Sequence, residues 1–149
     1  MSAPKTVLLI SNTAWSILVF RGRLIAHLVN SGFRVIAVAP PDPAVADIQN
    51  LGAEFIPLYM DNKGINPIKD LKLIVDFWRL IRRLKPELAI TCTIKPIIYF
   101  AIAASFNRVK VISVVCGLGS AFTRVRLVTV IAQILYRYSQ RKVDKIFLL

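Results

Sequence analysis

Apolar residues along this chain form short unbroken runs, separated by longer stretches in which they recur every three or four positions. An unbroken run of five or six reads as a strand buried on both faces; the wider spacing reads as a helix with one apolar side. Thr6–Ser11 (TVLLIS) is the first run, and a helical pattern follows from about Trp15 to Asn30, stopping at Ser31-Gly32. Arg34–Ala39 (RVIAVA) is the second strand, cut by Pro40-Pro41, and Pro43 to Leu51 reads as a short helix closed by Gly52. Glu54–Leu58 (EFIPL) is the third strand, where Pro57 predicts an edge position because it cannot donate to a ladder.

The clearest helix comes next. Asn66 suits its N-cap, Pro67 its first position, and Asp70 the positive end of its dipole. Leu71, Ile74, Val75, Trp78 and Ile81 recur at helical spacing and are expected to pack inward, with Lys72, Asp76, Arg79, Arg82 and Arg83 facing away. Lys85-Pro86 ends it. Leu88–Cys92, a helix opened by Pro96 and reaching about Phe106, Val109–Val115, a basic helix from Arg126 to Lys142, and Lys145–Leu149 complete the alternation. Six strands and five helices joined by short loops predict an open, doubly wound parallel α/β sheet of Rossmann-like kind. The last apolar run has no turn after it, so the chain reads as the first half of something longer.

Composition refines this picture. A chain of 149 residues is one domain with room for a proper core. Hydrophobic residues make up 56%, more than a soluble domain usually carries, as doubly covered strands require. The same excess raises a membrane span, best sought in Leu88–Phe106. There Lys95-Pro96 sits near the middle, and a central Lys costs about 3 kcal/mol in a bilayer. The N-terminus shows no basic segment, apolar run and small-residue cleavage site of a secretory signal. Of the net charge of +12, residues 1–87 supply +4 (11 basic, seven acidic) and residues 88–149 supply +8 (nine basic, one acidic). A basic second half favours an anionic partner such as a lipid surface or a phosphorylated substrate. Nucleic acid is not expected, because few aromatics are interleaved with the basic residues. Cys92 and Cys116, the two cysteines, lack zinc-site spacing, are expected to pack as small hydrophobes at strand ends, and favour a cytoplasmic setting.

Candidate chemistry gathers where strands end. Thr93-Ile94-Lys95-Pro96 offers a hydroxyl, an ammonium and a helix start whose amides favour an anion, while Gly117-Leu118-Gly119-Ser120 offers bare backbone. Asn12-Thr13 with Arg21, and Lys63-Gly64 before the Asn66 cap, lie at other strand ends. In a parallel α/β sheet such ends open onto one crevice, where ligands bind. No G-x-G-x-x-G or G-x-x-x-x-G-K-[ST] run occurs, which argues against dinucleotide and P-loop sites. His27, the one histidine, sits mid-helix and reads as structural, so a Ser-His-Asp triad or a metal centre lacks partners. No metal site is expected, and no carboxylate pair suggests glycoside hydrolysis.

Taken together, Asn12-Thr13-Ala14-Trp15-Ser16, Phe20-Arg21, Lys63-Gly64-Ile65-Asn66-Pro67, Thr93-Ile94-Lys95-Pro96 and Gly117-Leu118-Gly119 resemble, in order and spacing, the N-terminal half of bacterial family 4 glycosyltransferases of the GT-B fold, which build capsule, O-antigen and lipid-linked oligosaccharides. The resemblance spans essentially all 149 residues; Ile97 and Ser120 depart from it, where relatives often carry Asn and an aromatic. It implies an acceptor-side domain over residues 1–149, with the donor-binding half and its paired glutamates absent. It also implies a nucleotide-sugar co-substrate, no metal or other cofactor, a lipid-linked sugar acceptor, and a place at the inner face of the cell membrane. By the same resemblance Asn12, Thr13, Ser16, Phe20, Arg21, Lys63, Thr93, Lys95 and Pro96 shape or contact the acceptor, and Gly117, Leu118 and Gly119 face the donor sugar. Trp78, Arg79 and Arg82 suit contact with an anionic membrane surface. The alternative is a stand-alone, non-catalytic subunit that recruits a separate catalytic chain to the membrane. No general base stands out.

Overall fold

A computed structural model describes residues 3–61, 66–116 and 127–148, and in it the six apolar runs lie side by side. The strands are β1 (Thr6–Ile10), β2 (Arg34–Ala39), β3 (Glu54–Pro57), β4 (Leu88–Cys92), β5 (Lys110–Val115) and β6 (Lys145–Leu148). The helices are α1 (Ala14–Asn30), α2 (Val45–Asn50), α3 (Pro67–Leu84), α4 (Ile94–Ala104) and α5 (Leu127–Gln140). All strand pairs are parallel, in the order β3-β2-β1-β4-β5-β6. The alternation of patterns along the chain is thus the doubly wound sheet it suggested.

Burial explains the unbroken runs. Every residue of β1 is buried, as are Val35–Ala39 of β2, because helices cover the sheet on both sides. On one side Ala14, Ile17 and Ile25 of α1 and Ile48 of α2 pack on Leu9, Val35 and Ala37. On the other, Leu73 and Phe77 of α3, with Ile98 and Phe100 of α4, pack on Leu8, Ile36 and Ala89. Phe77 meets Phe100 edge-on, with ring centroids 5.3 Å apart. The 88–106 stretch that raised a membrane span resolves into β4 and α4, and α4 is buried almost all round. Among the described residues no helix is long and apolar enough to cross a membrane.

Local signals behave as their chemistry requires. Thr13 Oγ1 accepts from the Ser16 amide at the start of α1, and Asn66 Oδ1 accepts from the Ile68 and Lys69 amides at the start of α3. Pro57 does lie on an edge strand. Across β2 and β3, Arg34 donates twice to Glu54, at 2.6 and 2.8 Å, placing fixed charge on that edge.

Several expectations need correction. The inward face of α3 is Asp70, Leu73, Phe77, Leu80 and Ile81, not the expected stripe: Leu71 is 63% exposed, and Val75 and Trp78 are each 37% exposed. The two stripes are one residue, about 100°, apart around the helix. The winning one carries Phe77, which α4 offers Phe100 to receive, and tolerates Asp70 because α4 also supplies its partners. Ile81 belongs to both. Helix α4 starts at Ile94, so Pro96 sits inside its first turn, where a missing amide costs nothing. His27 is exposed in the last turn of α1, not mid-helix, and Cys116 is exposed at the end of β5 instead of packed.

Gly52, at φ +92°, leads from α2 into β3, and a Cβ there would lie 2.9 Å from Val29 Cγ1 on α1. Gly52→Ala therefore meets both backbone strain and a clash, and should lower stability by about 1–3 kcal/mol, read as a fall in thermal midpoint.

Candidate functional site

The chain order of the strands reverses between β1 and β4, so the segments leaving those two strands diverge to opposite faces of the sheet. Such a reversal opens a crevice at the carboxyl ends of the strands, where doubly wound folds bind ligands. A hydrogen bond spans it: the Asn12 amide donates to Thr93 Oγ1 at 3.2 Å, joining residues 81 apart in sequence. Thr93 does this from φ 69° and ψ 154°, a region a β-branched residue adopts only under constraint, at a cost of about 1–3 kcal/mol. Its hydroxyl oxygen accepts this bond and does not cap α4.

The β1 side of the crevice is built from hydroxyls. Ser11 Oγ and Ser16 Oγ lie 2.6 Å apart, and Ser16 Oγ also donates to the Thr13 carbonyl at 3.0 Å. Asp42, from the loop after β2, reaches across so that Oδ2 accepts from the Trp15 amide and Oδ1 from the Ala44 amide, both at 2.8 Å. A carboxylate of the protein thus sits at the positive end of α1, where an anionic ligand would otherwise be favoured. Phe20 and Trp15 are exposed and touch edge-on at 6.2 Å, giving the outer turn of α1 an aromatic surface.

The β4 side contains a buried ion pair. Lys95 Nζ donates to Asp70 Oδ1 at 3.1 Å, with the two side chains only 15% and 8% exposed, and Tyr99 Oη donates to Asp70 Oδ2 at 2.9 Å. Burial first, then the bond to Asp70, raises the Tyr99 phenol far above its ordinary value and keeps it a donor. The ammonium expected to meet an acceptor is therefore held by α3. Arg21 lies half-buried on α1 and donates to the Phe20 carbonyl at 3.0 Å. Burial raises the Cys92 pKa, and the Arg21 charge offsets part of that rise.

Asn12, Thr13, Ser16, Arg21, Thr93 and Lys95 thus come from two chain segments to one crevice, and Pro96 is buried behind them in α4. Lys63, Gly117, Leu118 and Gly119 lie outside the described residues. The sequence reading missed Asp42, which Pro40-Pro41-Asp42-Pro43 disguised as a plain turn, and the partnership of Asp70 with Lys95 and Tyr99. A signal for the second existed: an acid in an apolar helical stripe demands a buried partner. Along the β3 edge, a cleft of about 400 Å³ is lined by Tyr59, Lys72, Asp76, Arg79 and Arg83 among others.

A doubly wound sheet with this switch-point crevice is Rossmann-like, the kind of fold that GT-B glycosyltransferases contain. The model of the glycosyl transferase 4-like family matches residues 6–148, and the chain belongs to that family. Among solved structures it is similar to MurG of Acinetobacter baumannii (TM-score 0.68, 15% identity), covering 97% of this chain and 41% of that one. It is also similar to a glycosyltransferase from Rickettsia africae (0.65, 17% identity; 99% and 43%) and to the UDP-GlcNAc 2-epimerase of Methanocaldococcus jannaschii (0.56, 14% identity; 97% and 39%). At these identities the likeness is one of fold. The chain spans about two fifths of the length of these structures. No curated relative matches.

Lys95→Met strands a buried carboxylate and should cost about 3 kcal/mol or more in chemical denaturation, most of it regained when Asp70→Asn is added. Iodoacetamide at neutral pH should label exposed Cys116 first and Cys92 at least about tenfold more slowly, with the Cys92 rate climbing as pH rises toward its elevated pKa. Mass spectrometry of timed samples reads both.

Proposed function

We propose that this chain is the acceptor-side domain of a glycosyltransferase that moves a sugar from a nucleotide-sugar donor to a lipid-linked acceptor, at a membrane surface, in cell-surface polysaccharide synthesis. Family membership supports sugar transfer. The observation that carries the membrane part is the outer face of α3. Ile68, Leu71, Val75 and Trp78 form an exposed apolar line along it, with Lys72, Arg79, Arg82 and Arg83 on either side and the Arg82 guanidinium 4.9 Å from the Trp78 ring centroid. A helix with an apolar stripe flanked by cations binds in the headgroup layer of anionic bilayers.

The same helix starts beside the crevice and, through Asp70, grips its β4 side, so a membrane seat for α3 puts the crevice next to the lipid headgroups. In this reading Asn12, Thr13, Ser16, Phe20, Arg21 and Thr93 meet the acceptor, with Pro96 shaping the turn behind them. Lys63 joins the acceptor side, and Gly117-Leu118-Gly119 faces the donor sugar.

Co-sedimentation with vesicles tests the membrane seat. The chain should bind phosphatidylglycerol vesicles and not phosphatidylcholine ones, and Leu71→Glu with Trp78→Glu should weaken binding by at least about tenfold without lowering the melting temperature. Equal binding to neutral vesicles, or indifference to the double substitution, overturns the reading.

A further inference from the structure

The polar flank of α3 faces a groove that lies outside the crevice. Helix α3 packs inward on the central strands through Leu73 and Phe77, and the edge strand β3 lies beside it. Between them runs the cleft of about 400 Å³, with Ile56, Leu58 and Leu80 as an apolar floor and Lys72, Arg79 and Arg83 along one wall. A second cleft of about 310 Å³ shares Tyr59, Lys72 and Asp76 with it, and the Lys69–Asp61 pair, at 2.8 Å, stands at that end.

The cations of this groove exceed its acids. All eight acidic side chains of the protein are among the described residues, and four of them are held by other cations: Asp61 by Lys69, Asp70 by Lys95, Glu54 by Arg34 and Glu87 by Lys5. Asp76, the acid inside the larger cleft, reaches Arg79 only at 3.8 Å. Lys72 and Arg83 form no ion pair among the described residues, so three cations there face one acid. A cationic wall above an apolar floor matches a ligand that carries its negative charge on a hydrocarbon body.

The groove's place on α3 favours a lipid over a free phosphate. Lys72, Arg79 and Arg83 lie about 80° round the helix from the exposed line of Ile68, Leu71, Val75 and Trp78. With that line set into a bilayer, the groove opens sideways into the headgroup layer, at the depth of the lipid phosphates. We propose that this groove binds the phosphate of one anionic phospholipid, with the glycerol and first acyl carbons over Ile56, Leu58 and Leu80. This rests on the membrane seat for α3 argued above, and adds a saturable site to its diffuse attraction for anionic bilayers.

Dihexanoyl phosphatidylglycerol, titrated as monomers into the full chain by calorimetry, tests the site without a bilayer. A single equivalent should bind, dihexanoyl phosphatidylcholine should not, and glycerol 3-phosphate and inorganic phosphate should bind at least about tenfold more weakly for want of the apolar contact. Lys72→Gln with Arg83→Gln, both at exposed positions, should weaken phosphatidylglycerol binding more than about tenfold with an unchanged melting temperature. Lys110→Gln with Lys145→Gln, which removes the same charge elsewhere on the surface, should bind within about twofold of the unaltered chain. Equal binding of glycerol 3-phosphate assigns the groove to a free phosphate and overturns the lipid. Absence of saturable binding, or an equal loss in the Lys110 and Lys145 variant, overturns the site, while retained binding to phosphatidylglycerol vesicles leaves the membrane seat standing. Groove-dependent binding of the soluble lipid by a chain that ignores those vesicles overturns the seat, and with it the placing of the groove in the headgroup layer.

Discussion

The parallel pairing of β1 with β4 is the constraint on which the rest of this molecule depends. Parallel strands cannot be joined by a tight turn, so each must be followed by a covering element, and the two elements leaving β1 and β4 go to opposite faces. Backbone groups at the two strand ends are then left facing each other with no helix above them. The Asn12–Thr93 bond closes part of that opening, and it does so from a backbone conformation that the surrounding packing must enforce. Positions, spacing and strain at the crevice all descend from strand order.

Helix α3 shows how one element serves two environments. Its inner face presents Phe77 to Phe100 and a carboxylate to Lys95; its outer face presents Ile68, Leu71 and Trp78 to the surroundings among cations. An ordinary surface helix divides into apolar-in and polar-out. This one is apolar on two sides, with its sole buried acid on the inside and its tryptophan on the outside. That inversion follows from what each side meets, a neighbouring helix in one case and the exterior in the other.

Strand and helix order was legible in the sequence because doubly covered strands leave short unbroken apolar runs bracketed by turn residues, between longer stretches at helical spacing. β2 was readable to the residue, since Arg34 and the Pro40-Pro41 pair bracket it. The facing of α3 was not, because two apolar stripes run side by side and only the partner helix decides between them. Long-range polar pairs were also hidden: nothing local links Asp70 to Lys95, or Asp42 to Trp15, until the fold brings them together. The strand-end residues could be named as a group, whereas their charge states depend on partners that the sequence does not order in space. Arg21 is the instructive case, because its burial is visible only as its phase on α1 relative to Ile17 and Ile25.

The Asp70–Lys95–Tyr99 contact bears on how the two helices stay aligned. Smooth apolar faces such as those of Phe77 and Phe100 can slip past each other by part of a turn and still bury similar area. A carboxylate gripped at both oxygens by a single lysine and a single tyrosine has one vertical setting only. The pair therefore works as a register pin between α3 and α4, the helix that begins directly after Thr93.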